Sequence, residues 1–446
     1  MNHTILSYTS LPTGGMDGTA VDSAHLLSQL EAILDTHPWI DELGFVHPSQ
    51  FAALDEEANG SLVSKPSHFC NSDTFFWSNG HKLGISTLAL FPLYGAAKDA
   101  FMDSFRRYKM LLDSHGQNNK SINVKTLKFS QSDLDIVESE AMRHSRVLVL
   151  LSCDFGTAWN SRKLVILRKQ QFPLFMDELL LSTLVLSYAP KSECAWSHRR
   201  WVIKMIADKC ANLQEIVERE SVLVKTIAEN SKMNYRAWNH RCWLVSYMSH
   251  AQVILELQNS REWTVLHVAD NSCLHYQTRL LLQMVENLKD DTFSCAEFHQ
   301  MWKEELHWNE LLIRRYFGRE GLWLHRRFLS LFWMKHLTSG NQNINSHSLC
   351  KSSENDDIFM FINAELKLLG HCTIIPDNVF EDYEAQAVHS ATYIMWLAKQ
   401  MPTPFGIELR NSSLYGALET SLKKTGKSFL LESVAENCVS IQQSLN

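Results

Sequence analysis

At 446 residues the chain is long enough to bury a large core, or several. Its make-up, 45% hydrophobic and 20% charged, is that of an ordinary globular protein. The 42 basic and 49 acidic residues leave a net charge of −7, which argues against a nucleic-acid binder that works through general basicity.

The opening MNHTILSYTSLPTGG has no basic segment followed by a long apolar one, so no export signal is read there. Residues 1–20 are small and polar and are expected to form a flexible N-terminus. Apolar residues spaced i, i+3, i+4 and i+7 predict helices over Ala24–Leu34 and Tyr94–Leu112, within an N-terminal helical region at 21–130. The apolar rise at Leu83–Ala97 is broken by Gly84, Pro92 and Gly95 and is too short to span a membrane. Asp113–Asn123 reads as a loop. Helical spacing then returns at Leu134–Leu151, Phe172–Tyr188, Leu213–Ile227 and Ala251–Leu257, inside a hairpin-repeat region at 131–338. Ser339–Asp357 is rich in Ser and Asn, and a flexible insertion is expected at 339–357. A C-terminal helical region and tail, 358–446, holds a predicted helix near Val379–Gln400 and an amphipathic run near Leu414–Val434. Period-two alternation is rare throughout, so the fold class is all-α. Ten cysteines form no Cys-x-x-Cys pair. They are expected as reduced thiols in the cytosol or nucleus, and the chain is read as cytoplasmic.

One phrase recurs. An aromatic residue is followed three positions later by Arg at Trp159/Arg162, Trp196/Arg199, Trp238/Arg241, Tyr276/Arg279 and Trp323/Arg326, at intervals of 37, 42, 38 and 47 residues. Such a period suits two helices and two turns per unit, which is the logic of an α-solenoid. Ser192, Asn234 and Ser272 stand four residues before the aromatic, where they can cap a helix. The aromatic, the Arg and the apolar residue near i+7 (Trp238, Arg241, Val245) then share one helix face. The simplest reading of these ten residues is structural: the aromatic fills the space between hairpins. The Arg, on the same inward stripe, must find a carboxylate or carbonyls, because a lone buried charge is costly. His198, His240 and His325 recur two residues after the aromatic and read as polar contacts before proton shuttles.

The phrases PKSECAWSHRRWVI and NYRAWNHRCWLV resemble the repeats of protein prenyltransferase α subunits. The resemblance covers Asp154 to Met334 and is weak on either side. It implies a right-handed crescent of antiparallel helical hairpins wrapped around a β subunit, an α/α barrel that carries the catalytic zinc. It further implies a type III-like protein geranylgeranyltransferase. That enzyme would borrow the Rab geranylgeranyltransferase β subunit and use geranylgeranyl diphosphate as co-substrate. Its protein substrate would have C-terminal cysteines, such as an already farnesylated SNARE. No cofactor is expected in this chain, and neither nucleic acid nor a membrane span enters the reading.

In the family, a Lys in the corresponding Pro-Lys stretch reaches the reacting centre. Pro190-Lys191 keeps both residues, so Lys191 is the candidate catalytic residue, supplying positive charge to the leaving diphosphate. From the sequence alone, a Lys in a turn is a solvated charge. Asn234, Tyr235 and Arg236 are candidates for binding substrate or diphosphate. The farnesyltransferase α subunit has Asn-Tyr-His there, and Arg236 in place of His can still fork onto phosphate. After the Pro-Lys, that subunit has Asn-Tyr-Gln, where this chain has Ser192-Glu193-Cys194. An acid at that place would repel a terminal carboxylate, which weakens ordinary CaaX recognition. Cys295–His299 (CAEFH) is too sparse for a metal site, and no Gly-rich phosphate loop is present. The alternatives are a non-enzymatic helical scaffold and a lapsed α-type chain that binds a β subunit. The 37-to-47-residue spacing disfavours a tetratricopeptide array, whose period is about 34 residues.

Overall fold

The computed structural model describes residues 22–59, 75–117, 131–288, 295–336, 354–373, 381–401 and most of 405–428. The predicted N-terminus, 1–20, lies outside them, as do most of the predicted insertion and the chain beyond 428. The described chain is dominated by helix and divides into two compact units, Met1–Cys210 and Ala211–Asn446.

The first unit opens with helix α1 (Ser23–Thr36), capped by Asp22, whose carboxylate accepts from the Ala24 N–H at 3.0 Å. Three strands follow, and here the N-terminal region departs from the all-helical expectation. Strand β1 (Glu42–Val46) runs parallel to β3 (Lys82–Ser86), which pairs antiparallel with β2 (Phe76–Asn79), in the order β1-β3-β2. Helix α2 (Phe51–Asn59) lies between β1 and β2 in the chain. The β2–β3 turn is Gly80-His81, with Gly80 at φ 57°, the left-handed conformation a tight hairpin needs and glycine takes freely. The strands are short and two carry glycine, so no alternating pattern develops. The apolar rise at Leu83 is thus strand β3 followed by α3 (Leu90–Gln117), with Pro92 tolerated in its first turn. Helix α3 runs on through Asp113–Gln117, so the first part of the predicted loop is helical.

Helices α4 (Gln131–Leu151) and α5 (Gly156–Lys169) form one hairpin, and α6 (Phe172–Tyr188) and α7 (Glu193–Ile206) the next. α4 packs on α6, and α5 on α7. The sheet rests on α6: Ser187 Oγ accepts from the Leu43 N–H at 3.1 Å, and Tyr188 meets Phe45 edge-on, centroids 5.2 Å apart.

The second unit continues the scheme with hairpins α8 (Leu213–Asn230)/α9 (Tyr235–Leu244), α10 (His250–Leu266)/α11 (Ser272–Leu288) and α12 (Cys295–Arg315)/α13 (Glu320–His336). A further hairpin, α14 (Glu354–Cys372)/α15 (Glu381–Gln400), lacks the phrase, and α16 (Leu414–Lys424) packs against it. α14 begins inside the stretch expected as insertion. Helices α9, α11, α13 and α15 pack each on the next, and their inward side chains form one continuous core. Among the described residues no helix is long and apolar enough to cross a membrane.

Candidate active-site turns and the repeat that holds them

Every phrase lies on the second helix of its hairpin, and its aromatic is buried: Trp159, Trp196, Trp238, Tyr276 and Trp323 are all at most 3% exposed. In the first unit the indoles do the same work twice. The Trp159 N–H donates to Cys153 O at 2.8 Å, and the Trp196 N–H to Pro190 O at 2.9 Å, each pinning the turn six residues upstream. In the second unit Trp238 packs edge-on against Trp263, centroids 4.7 Å apart, and the Trp323 N–H donates to Gln386 Oε1 at 3.2 Å.

The arginines are buried and bonded. Arg162 forks onto Glu178 of α6 (2.9 and 2.5 Å) and donates to Met142 O (2.6 Å) and Ser145 Oγ (2.9 Å) of α4. Arg199 donates to Leu179 O (2.7 Å), Ser182 Oγ (2.9 Å) and Thr183 Oγ1 (2.8 Å). Arg241 reaches Glu256 (2.7 Å) and Ser221 (3.1 Å), and Arg326 reaches Glu365 (2.5 Å) and Leu306 O (2.5 Å). Arg279 is only half-buried, and no carboxylate pairs with it among the described residues.

The recurrent histidines complete this wiring. Each faces a glutamate twenty residues earlier, on the first helix of its own hairpin: His198–Glu178 at 2.7 Å, His240–Glu220 at 3.2 Å and His325–Glu305 at 3.5 Å, the last too long for a good hydrogen bond. Glu178 and Glu305 also hold an arginine of the neighbouring hairpin, Arg162 and Arg261. Burial alone would raise the Glu178 carboxyl, but Arg162 and His198 outweigh it and hold it down to about 2. Burial holds His198 below its ordinary value, although Glu178 opposes this. His198 is therefore a neutral ring donating Nε2–H to Glu178, with Nδ1 left unbonded.

Two helix starts carry the candidate site residues. At α7, Ser192 is the cap: its Oγ accepts from the Ala195 N–H at 3.3 Å and donates to Asp154 Oδ1 at 3.0 Å, ahead of α5. The cap bond and the Trp196–Pro190 bond fix both ends of the turn, and Lys191 stands exposed between them. Glu193, on the first turn of α7, is exposed and paired with Arg200 at 2.8 Å, so the acid expected there is present. Cys194 is half-buried, and burial, with Asp154 and Glu193 nearby, raises its thiol.

At α9 the buried Asn234 accepts from the Ala237 N–H at 3.2 Å, so its side chain is occupied as a cap. Tyr235 is 65% exposed, and the Arg236 guanidinium lies 5.6 Å from its ring centroid. The preceding Met233 is held at φ 55°, unusual for a residue with a β-carbon. Asn234, Tyr235 and Arg236 thus share one helix start in the second unit, and Lys191 occupies the equivalent turn of the first. The third expected cap, Ser272, is instead the first residue of α11, and its N–H bonds Asp270 at 2.9 Å.

Sequence reasoning missed the glutamates of the first helices. The fixed interval of twenty before His198, His240 and His325 is a signal that counting would have found. It also missed Lys163, whose ammonium sits 5.6 Å from the Trp201 ring centroid. Among the described residues no group of three or more His, Cys, Asp or Glu could hold a metal.

The chain matches the model of the protein prenyltransferase alpha subunit repeat over residues 175–206 and 217–248, which are the hairpins α6/α7 and α8/α9. It is 29% identical over 252 residues to protein prenyltransferase alpha subunit repeat-containing protein 1-B of Xenopus laevis, covering 46% of this chain and 58% of that one. It is 28% identical over 278 residues to protein prenyltransferase alpha subunit repeat-containing protein 1 of Homo sapiens, covering 52% and 68%. To the geranylgeranyl transferase type-2 subunit alpha of Saccharomyces cerevisiae it is 22% identical over 161 residues, 34% and 48% of the two chains. The chain thus spans little more than half the length of the Xenopus relative it matches. Two hairpins match the repeat and the aromatic is buried in all five phrases, so the chain carries repeats of the protein prenyltransferase alpha subunit type and is similar to the repeat-containing proteins named above.

Proposed function

We infer that the chain is the α-type subunit of a heterodimeric, type III-like protein geranylgeranyltransferase in the cytoplasm. It pairs with a zinc-bearing β subunit of the Rab geranylgeranyltransferase type. The complex moves geranylgeranyl from geranylgeranyl diphosphate to a cysteine thiolate of a protein such as a farnesylated SNARE. The observation that carries this reading is the pair of matched hairpins whose helix starts present exposed Lys191 and Tyr235 on turns fixed from behind.

Thiolate activation belongs to the partner's zinc. This chain supplies position and charge: Lys191 stabilises the leaving diphosphate, while Tyr235 and Arg236 line the mouth through which substrate enters. Asn234 contributes indirectly, by fixing the start of α9. Glu193 disfavours a bare terminal carboxylate, which suits a substrate chosen by other surfaces. The test is transfer of labelled geranylgeranyl to a farnesylated SNARE tail by the complex. Lys191→Ala should leave assembly intact and slow turnover by about 10²-fold. An unchanged rate removes Lys191 from the mechanism.

A further inference from the structure

The first unit contains a cavity of 460 Å³ that Lys191 does not line, framed by the C-terminal end of α1, by α4 and by α6. That volume lies within the range of about 300–1,000 Å³ typical of small-molecule sites. Leu181 and Leu184 of α6 give it an apolar floor. Its charges do not balance locally. Asp35 of α1 is the carboxylate partner of two guanidiniums of α4, Arg146, which bonds it directly, and Arg143 at 3.9 Å. Asp35 and Arg143 are both exposed, and one guanidinium on that side has no carboxylate of its own. Arg162, deeper in, is satisfied by Glu178 and by α4. Asp177, on the α6 side, is exposed to solvent and has no ion pair or hydrogen bond among the described residues. Partial desolvation, and then Glu178, raises its carboxyl, while Arg162 and Arg146 oppose this. His37 also lines the cavity.

An apolar floor with a surplus cation on one side and an unpaired acid on another is complementary to a dipole. The geometry points to a binding site for a zwitterion with an apolar body, in the chemical class of a free hydrophobic α-amino acid. Its carboxylate would meet Arg143 and Arg146, its ammonium Asp177, and its side chain the leucines. Neither charge of such a ligand need displace an existing bond in the cavity. A simple anion would leave Asp177 unanswered, and a simple cation would leave the Arg143 side unanswered.

Calorimetric titration of the full chain with L-leucine, N-acetyl-leucine, leucinamide and N-acetyl-leucinamide tests this. Leucine should bind, and each singly blocked form should bind about tenfold or more weakly, as expected when one charge-assisted hydrogen bond is lost. Asp177→Asn should weaken leucine and leucinamide and spare N-acetyl-leucine. Arg143→Met should weaken leucine and N-acetyl-leucine and spare leucinamide. Three results overturn the proposal: no heat with any of the four, doubly blocked leucine binding as well as the free amino acid, or variants that weaken every ligand alike.

Discussion

The α5–α7 step of the first unit and the α9–α11 step of the second carry the same phrase but complete it differently. In the first, Glu178 takes Arg162 from one side and the ring of His198 from the other, and all three are buried. In the second, Glu256 takes Arg241 and the hydroxyl of Tyr276 (2.5 Å), the residue that replaces Trp in that copy. The indole is dispensable at that step because the phenol supplies both the packing and a donor. What recurs is a carboxylate on the first helix of a hairpin, joining an arginine of the preceding hairpin to a donor on its own second helix.

The two bridges differ in exposure: Glu178 is wholly enclosed, while the Glu256 side chain keeps 13% of its surface. Glu178→Ala strands Arg162 and His198 and should cost about 3–5 kcal/mol. Glu256→Ala should cost about 1–3 kcal/mol, since water can reach the orphaned groups. Denaturant unfolding of both variants decides the matter, and equal losses would break the comparison.

Acid should find the first bridge next. Glu178's folded value of about 2 lies below its ordinary 4.5, so its contribution is complete above 4.5 and is lost as pH falls from there towards 2. His198 is held below its ordinary 6.5, so the unfolded chain takes that proton first, and stability also declines as pH drops below 6.5. His198→Gln should flatten the upper limb of a curve of Tm against pH. A variant that follows the parent between about pH 7 and about pH 5 would show that the buried ring carries no such cost.

The smallest effect on stability links the repeat to its chemistry. Trp196→Phe keeps the packing but loses the bond to Pro190 O, for about 1 kcal/mol. The loosened Lys191 turn should lower kcat for transfer more than it raises KM. Loss of stability with no change in kcat would separate the indole from the site.

Much of this was legible in the sequence. Five phrases located five hairpins, and Ser192 and Asn234 cap as their spacing required. Buried arginines had to find a carboxylate or carbonyls, and the four buried ones do. The sheet stayed hidden because its strands are short and glycine-bearing, although Asn79-Gly80 is a hairpin signal. The cavity stayed hidden because Asp35, Arg143 and Asp177 come from three helices and share no local pattern. The α14/α15 hairpin has no phrase, and its wiring through Glu365 and Tyr393 emerges only from packing.

The most direct measurement is co-purification of the full chain with a Rab-type geranylgeranyltransferase β subunit, the complex being weighed by native mass spectrometry. The account predicts a one-to-one heterodimer that labels a farnesylated SNARE tail with geranylgeranyl. A chain that forms no complex with any barrel-type partner would contradict it and leave a helical scaffold in its place.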